Sequence, residues 1–214
     1  IGGGTAIADG EDAKNITIRG TYGYFTEDAE GDLYFIDGRN YQIRKRLKDG
    51  TVKTIVGNGE VGTIGLNDGK VATDVSVSYL MNLTIGSDGL LYFIENGHYW
   101  GDIGGCIRYV DSQGLLQTKM CIPWAQIMSL DFSKTGEIYF ASAYSNAVYK
   151  IDLNNNISMV LSGLYWPGNI NIKKDDGSLY ISDTYNSRLI ILEQDGKRTD
   201  LSVFAPEFVT FDPE

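Results

Sequence analysis

The tetrapeptide Gly31-Asp32-Leu33-Tyr34 recurs three times along the chain in related form, and this recurrence decides the fold. The later copies are Gly89-Leu90-Leu91-Tyr92, Gly136-Glu137-Ile138-Tyr139 and Gly177-Ser178-Leu179-Tyr180. Their tyrosines follow one another at intervals of 58, 47 and 41 residues. A period of about 40 to 50 residues is typical of architectures in which each repeat is one packed unit. We therefore divide the chain into four repeats.

Each repeat is predicted to form four short β-strands. The residues after each glycine are aromatic or branched, and glycine or aspartate bounds them, as is typical of strands. No window shows a sustained helical period. Four antiparallel strands per repeat predict an all-β β-propeller, with a β-sandwich of irregular hairpins as the alternative. In the fourth repeat the strands are predicted over Gly168–Ile172, Ser178–Ser182, Arg188–Leu192 and Lys197–Ser202.

Composition and charge exclude several classes of function. The 214 residues include 28 Asp and Glu against 18 Lys and Arg, so the net charge is −10. This surplus repels phosphate backbones and argues against nucleic-acid binding. No apolar run approaches the ~20 residues that cross a bilayer, so we expect no membrane span. One histidine and two cysteines are too few for a His-rich metal site or a thiolate zinc site.

Two segments resemble the core of the NHL repeat, whose pattern runs roughly Ala-Asp-x-x-Asn-His-Arg-Ile-Arg. They are Asp37–Lys45 in the first repeat and Ser182–Leu189 in the fourth. The connectors Ala8–Ala13 and Asn67–Ala72 resemble each other and the glycine-rich segment that precedes the innermost strand in that family. The resemblance covers essentially the whole chain and implies the propeller fold.

The resemblance implies a structural role for the motif residues. The aspartate is expected to accept backbone N–H bonds in the following turn, and the asparagine to tolerate a positive φ. The third repeat departs from the pattern, with Ser142 and Ser145 at the aspartate and asparagine positions, and the second has Glu95 and an insertion. The motif is not a catalytic signature.

We predict a single propeller domain over residues 1–214. Its repeats cover about 15–56, 81–119, 127–161 and 168–202, and a partial repeat covers 205–214. Because NHL-like rings resemble five- or six-bladed discs, the ring is expected to be incomplete. Exposed blade edges aggregate, so further blades are expected from a longer chain or from another copy. A closed four-bladed ring is the alternative.

One face of the propeller is expected to be rich in aromatic loops. Antiparallel connectivity places the loops after the second and fourth strands of each repeat together, opposite the short polar turns. Such loops are typical of surfaces that stack on sugars or anchor a protein. The alternative for Trp124 and Trp166 is that they only fill gaps between blades. The predicted binding residues are Tyr41, Tyr99, Trp100, Trp124, Tyr144, Tyr165, Trp166 and Tyr185.

We therefore predict a non-catalytic recognition or scaffold propeller, not an enzyme, that binds a protein or glycan and needs no cofactor. Lyases related to the NHL family use histidines that converge on the channel, and this chain has only His98. The alternative is a calcium-dependent, lactonase-like hydrolase. A structural subunit of a surface or virion assembly is a third hypothesis. The candidate calcium ligands on innermost strands are Asn82, Asp131, Asn169 and Asn171.

The two cysteines lie at the ends of one predicted hairpin, whose turn is at Ser112-Gln113. Direct pairing sets Cys106 opposite Lys119, two residues from Cys121, so a disulfide requires a slipped register. A disulfide and the three Asn-x-Ser/Thr sequons would suit a protein outside the cell or at its surface, which is the location that we expect.

Overall fold

A computed structural model describes residues 8–20, 24–97 and 104–207 of the chain. Its sixteen strands form four separate four-stranded antiparallel sheets, one from each repeat, as the sequence predicts. The only helical turns among the described residues are three residues long, so none could cross a bilayer as a helix.

Every sheet is a meander in which consecutive strands are neighbours. We number the sheets 1 to 4 in chain order. Sheet 1 contains β1 (Phe25–Glu27), β2 (Leu33–Asp37), β3 (Gln42–Arg46) and β4 (Val52–Val56). Sheet 2 contains β5 (Tyr79–Ile85), β6 (Leu91–Asn96), β7 (Gly105–Val110) and β8 (Leu116–Ile122).

Sheets 3 and 4 follow the same plan. Sheet 3 contains β9 (Ile127–Phe132), β10 (Ile138–Ser142), β11 (Ala147–Ile151) and β12 (Ile157–Leu161). Sheet 4 contains β13 (Pro167–Ile172), β14 (Leu179–Asp183), β15 (Arg188–Leu192) and β16 (Arg198–Ser202), and each end lies within one residue of its predicted place. The turn glycines therefore mark where these strands begin and end, and the branched residues between the turns form the strands.

The chain divides into two compact units. Unit 1 comprises Ile1–Ile85 and Gly89–Pro123, and it contains sheets 1 and 2. Unit 2 comprises Gly86–Asp88 and Trp124–Glu214, and it contains sheets 3 and 4. Each unit has its own apolar core of branched and aromatic side chains, which removes their surface from water. The prediction of a single domain stays a prediction.

In unit 1, each outer strand is covered by the connector that precedes its own sheet. The N–H of Gly10 donates to Val52 O at 2.8 Å, on the edge of β4. The N–H of Gly69 makes the same bond to Leu116 O at 2.8 Å, on the edge of β8. The repeated Asp-Gly segments of the sequence thus pair with outermost strands, and they shield edges that would otherwise offer unpaired backbone groups.

A buried arginine fixes each connector. The Arg44 guanidinium lies 3.1 Å from an oxygen of Asp9, and the Arg108 guanidinium lies 2.9 Å from an oxygen of Asp68. Both arginines are fully buried. Arg108 also pairs with Glu95, a carboxylate that is itself only 1% exposed. A buried charge of this kind is tolerated only when a partner neutralises it.

Cys106 and Cys121 form a disulfide and lie directly opposite each other on β7 and β8. Two shifts bring them together. The turn is centred so that Val110 pairs with Leu116, and a register shift follows between Ile107 and Arg108. Such a bulge adds one residue to one strand. The centring and the bulge together supply the two-residue slip that the sequence required.

The aspartates of the NHL-like motif tie the second strand to the loop before the first strand. Asp37 Oδ1 accepts the N–H of Arg19 at 2.8 Å, and Asp183 Oδ1 accepts the N–H of Tyr165 at 2.6 Å. The expected bond to the following turn is therefore replaced by one to a preceding segment, 18 residues earlier in both sheets. The positive φ also lies one residue later than expected, at Tyr41 (50°) and Ser187 (51°).

Candidate functional site

Four predicted aromatic residues form one cluster in unit 2. Trp166 and Tyr185 are stacked, with ring centroids 5.8 Å apart and planes at 17°. Tyr165 meets Tyr185 edge-on at 5.2 Å, and Tyr144 meets Trp166 edge-on at 6.5 Å. These side chains come from three loops that precede or follow strands of sheets 3 and 4. We call them the aromatic cluster.

The aromatic cluster lies at the surface. Tyr144, Tyr165 and Tyr185 are 50%, 53% and 58% exposed, while Trp166 is half-buried beneath them. Burial of such rings would contribute substantially to a core, so their contiguous exposure is unusual. A surface of this kind is suited to stacking against a planar or ring-shaped group of a ligand.

Hydrogen bonds hold the loop of the aromatic cluster in place. Besides the bond from Tyr165 to Asp183, the N–H of Trp166 donates to Asn146 Oδ1 at 3.0 Å. The N–H of Tyr185 donates to Tyr165 O at 3.1 Å. Because Trp166 has a φ of 53°, which a bulky residue rarely adopts, these bonds must fix its backbone. The rings are therefore positioned before any ligand arrives.

Two further predicted binding residues, Tyr41 and Trp124, make other aromatic contacts. Tyr41 is in unit 1, edge-on to Tyr79 with ring centroids 6.4 Å apart. Trp124 is 45% exposed and contacts Tyr149 at 4.9 Å. Tyr99 and Trp100 lie outside the described residues, as does His98. A binding role for all eight residues stays a prediction.

A polar network lies on the first strands of sheets 3 and 4. Asn171 Nδ2 donates to Asn169 Oδ1 at 2.6 Å, and Asn169 Nδ2 donates to Ser129 Oγ at 3.3 Å. The Ser129 hydroxyl also accepts the N–H of Ile170 at 3.2 Å. Ser129 and Asn169 are buried, so their polar atoms require these partners. Sequence reasoning singled out the asparagines but missed Ser129, whose signal is a serine inside the apolar strand β9.

The network starts close to the aromatic cluster. Trp166 precedes β13 and Asn169 lies three residues further on. At about 3.3 Å per strand residue, their backbones are separated by no more than ~10 Å along the chain. The aromatic cluster and the polar network are therefore neighbours along the chain.

The three candidate calcium ligands of unit 2 do not fit a calcium site as they are arranged. Asp131 Oδ1 accepts a bond from Lys174 Nζ at 2.9 Å, and its Oδ2 accepts the N–H of Ile172 at 2.8 Å. The amides of Asn169 and Asn171 bind each other. Calcium takes six to eight oxygen ligands. No group of three His, Cys, Asp or Glu suited to a metal occurs within residues 8–20, 24–97 and 104–207.

Solved structures of similar fold are β-propellers. Virginiamycin B lyase from Staphylococcus aureus superposes with a TM-score of 0.62 at 18% identity, over 89% of this chain and 58% of that chain. A streptogramin B lyase gives 0.63 at 16% identity, over 89% and 57%. A protein provisionally named a gluconolactonase gives 0.61 at 13% identity, over 84% and 62%.

These similarities establish the β-propeller fold class that the sequence predicted. The chain spans less than two thirds of the length of each of these structures. No protein-family model matches it, and no curated protein matches it in sequence. Membership of the NHL family is therefore not shown.

The comparison corrects the functional prediction. Two of these propellers are named as lyases and the third as a gluconolactonase, and a histidine-to-alanine variant of virginiamycin B lyase is called catalytically inactive. The prediction of a non-catalytic recognition or scaffold module, and with it the prediction that the chain is not an enzyme, is wrong by this comparison. The prediction rested on the aromatic loops and on the single histidine. Neither feature tells whether the molecule that binds is only held or is also converted.

Proposed function

We propose that this chain is part of a propeller enzyme of the hydrolase class, acting on a lactone. The observation that carries the proposal is the aromatic cluster, half-exposed and within about 10 Å of the network at Asn169. A cyclic ester has apolar ring faces and a polar ester edge. Stacked rings beside fixed amides suit the two parts of such a molecule.

The residues of unit 2 supply binding and orientation in this proposal. Trp166 and Tyr185 stack against the ring, and Tyr144 and Tyr165 border it. The network keeps Asn169 and Asn171 in one orientation, because each amide is fixed by the other. Orientation of this kind lowers the entropic part of a reaction barrier. Because the inner-strand residues do not fit a calcium site, we derive no step through a metal ion.

We propose a hydrolase rather than a lyase because lactone hydrolysis can be assisted without a histidine. Inactivation of virginiamycin B lyase by loss of a histidine indicates that its reaction needs that side chain. This sequence has one histidine, His98. Hydrolysis of a lactone can instead be assisted by hydrogen-bond donors at the carbonyl oxygen, which amides and backbone N–H groups supply.

The test is a lactone-hydrolysis assay on the purified protein, with acid release followed by titration, with added calcium and with a chelator. We expect turnover, and a fall in kcat/KM of about tenfold for Tyr185→Ala, equivalent to the ~1.4 kcal/mol of one aromatic stacking contact. Met159→Ala is the control, because Met159 is 60% exposed on β12, outside the cluster. Absence of hydrolysis of every lactone under both conditions would refute the proposal.

Kinship with NHL repeats and an extracellular location are also part of this proposal. Kinship with NHL repeats is supported by the matching bonds of Asn40 to Asp37 and of Asn186 to Asp183, both 2.9 Å. A location outside the cell or at its surface is supported by the Cys106–Cys121 disulfide, because such bonds persist in oxidising compartments. Retention of the disulfide in protein isolated under thiol-blocking conditions would test the second point.

A further inference from the structure

Sheet 3 departs from sheets 1 and 4 at the end of its second strand. β2 ends at Asp37 and β14 ends at Asp183, whereas β10 ends at Ser142. Three residues further on, Asn40 and Asn186 are replaced by Ser145. Sheet 3 therefore lacks both the carboxylate and the amide that the other two sheets use.

In sheets 1 and 4 this position is built around a buried carboxylate. Asp37 and Asp183 are both fully buried. The Asp37 oxygens accept bonds from the N–H of Arg19 at 2.8 Å and from the Asn40 amide at 2.9 Å, which are both neutral donors. Backbone and side-chain N–H groups at this place in the sheet can therefore hold a carboxylate without a cation.

In sheet 3, the polar atoms at this position have no partner among the described residues. They are Ser142 Oγ, Ser145 Oγ and Gln126 Oε1, and all three atoms are buried. They belong to one turn, since Ser142 pairs with Ile127 and the N–H of Ala143 donates to Gln126 O at 3.0 Å. Buried polar atoms are normally hydrogen-bonded, so these three atoms around the end of β10 need a partner, either water or a bound group.

A backbone donor stands at the same place. Ala125 lies two residues before β9, as Tyr165 lies two residues before β13. Tyr165 donates its N–H to Asp183, whereas the N–H of the buried Ala125 donates to no acceptor in the described part of the chain. The backbone donor of sheet 4 thus has a counterpart in sheet 3, whereas the Asn186 amide and the Arg188 guanidinium that also bind Asp183 are replaced by Ser145 and Ala147, and the carboxylate is absent.

We propose that this turn of sheet 3 binds the carboxylate of a small ligand. The ligand carboxylate takes the place that Asp183 occupies in sheet 4, accepting bonds from the Ala125 N–H and from the hydroxyls of Ser142 and Ser145. The turn borders the protein surface, where Gln126 and Ser145 are partly exposed and Tyr144 is 50% exposed, although the three polar atoms themselves are buried. The proposal needs no catalysis, so it stands independently of the lactonase proposal.

The test is an NMR titration of the folded protein with sodium acetate, with sodium chloride at matched ionic strength as the salt control. We expect saturable amide shifts confined to residues 124–126 and 142–146, and a rise in Tm at saturation. Acetate shifts no larger than those from chloride would overturn the proposal and would leave water as the partner of these atoms.

A variant that restores the internal carboxylate sharpens the test. Ser142→Asp combined with Ser145→Asn gives sheet 3 the aspartate and asparagine that sheet 1 has at these positions, so we expect at least a tenfold loss of acetate affinity and a higher Tm. Ser158→Asp is the charge-matched control, because Ser158 is exposed on β12, and it should bind acetate as the parent does. If the double variant fails to fold, Ser145→Ala replaces it, and unchanged acetate affinity in that variant also counts against the proposal.

Discussion

The backbone N–H of Tyr165 donates a 2.6 Å hydrogen bond to Oδ1 of Asp183, a carboxylate that is fully buried at the end of β14. The other oxygen of Asp183 accepts bonds from Arg188 Nε at 2.7 Å and from the Asn186 amide at 2.9 Å. One side chain thereby connects the repeat motif, the third strand of sheet 4 and the loop of the aromatic cluster. Loss of this carboxylate would therefore disturb both the fold of sheet 4 and the proposed binding site.

Asp183→Ala should lower the free energy of unfolding by about 3 kcal/mol, because it leaves buried donors unpaired. The measurement is urea denaturation followed by tryptophan fluorescence. Asp175→Ala is the control, since Asp175 is an exposed turn residue of the same sheet, and we expect a change within about 0.5 kcal/mol. Equal losses in the two variants would contradict a special role for Asp183.

Arg108→Ala should destabilise the protein by about 3 to 5 kcal/mol, because it leaves Glu95 as a buried, uncompensated charge. Adding Glu95→Gln to Arg108→Ala should recover part of the loss, since a neutral amide costs less to bury than a carboxylate. Denaturation of the single and double variants measures this coupling. A double variant less stable than Arg108→Ala alone would show that the charge is not the cause.

Gly57→Ala should be much more damaging than Gly114→Ala. Both glycines have a positive φ, 89° and 78°, so an alanine at either costs about 1 to 2 kcal/mol of backbone strain. A Cβ at Gly57 would also lie 2.0 Å from Tyr41 O, whereas nothing lies within 4 Å at Gly114. The two Tm values measure the difference, and similar values would mean that the contact at Gly57 relaxes freely.

The Glu137–Lys150 pair should make the unfolding free energy depend on pH in the acidic range. The Lys150 ammonium, 2.8 Å from Glu137 Oε1, holds the pKa of Glu137 below its usual 4.5. A pKa lowered by folding stabilises the protein above the unfolded pKa, and this stability is lost as pH falls through the folded pKa. Lys150→Met should therefore lower the unfolding free energy at neutral pH by about 0.5 kcal/mol and flatten its decline below about pH 4.5.

The control for this pH effect is Lys134→Met. Lys134 is an exposed residue of the turn between β9 and β10, so its loss should leave the acid dependence unchanged. The measurement is the urea midpoint at several pH values between about 3 and 7. An unaltered pH profile in Lys150→Met would show that the pair contributes nothing in solution.

Reduction of the Cys106–Cys121 disulfide should destabilise unit 1. The two residues are 15 apart in sequence, and a crosslink over such a loop contributes about 3 kcal/mol by restricting the unfolded chain. We expect dithiothreitol to lower the urea midpoint of the parent and to have no effect on the Cys106→Ser, Cys121→Ser double variant. If free thiols appear in the parent but its urea midpoint does not change, the expectation is contradicted.

The strands were predictable because local signals agree with tertiary packing. Gly177 and Tyr180 bracket the start of β14, and the same pair of residue types starts the second strand of every sheet. The disulfide register was not predictable, because it depends on the bulge beside Arg108, which no residue type at that point demands. Bulges are set by the neighbouring segments that pack on a strand as well as by the strand itself.

The site was predictable in part for the same reason. Loop connectivity placed Tyr144 and Tyr185 on one face, and the structure brings both into contact with Trp166. The role of Ser142 was not visible in the sequence, where it was only a departure from the aspartate of the motif. The proposed role of Ser142 depends on which hydrogen-bond donors surround it, and only the three-dimensional structure shows those donors.

The connectors of unit 1 also bear on how such a chain can change over generations. Asp9 and Asp68 each bond to an arginine of the sheet that follows them, so a connector and its sheet form one self-contained piece. A gene segment that encodes a sheet and its connector can be duplicated or deleted as one unit. The connector that pairs with the outer strand is then copied or lost together with the sheet. The longest tyrosine interval, from Tyr34 to Tyr92, contains the Asn67–Ala72 connector, so the repeat can vary in length while its four strands stay the same.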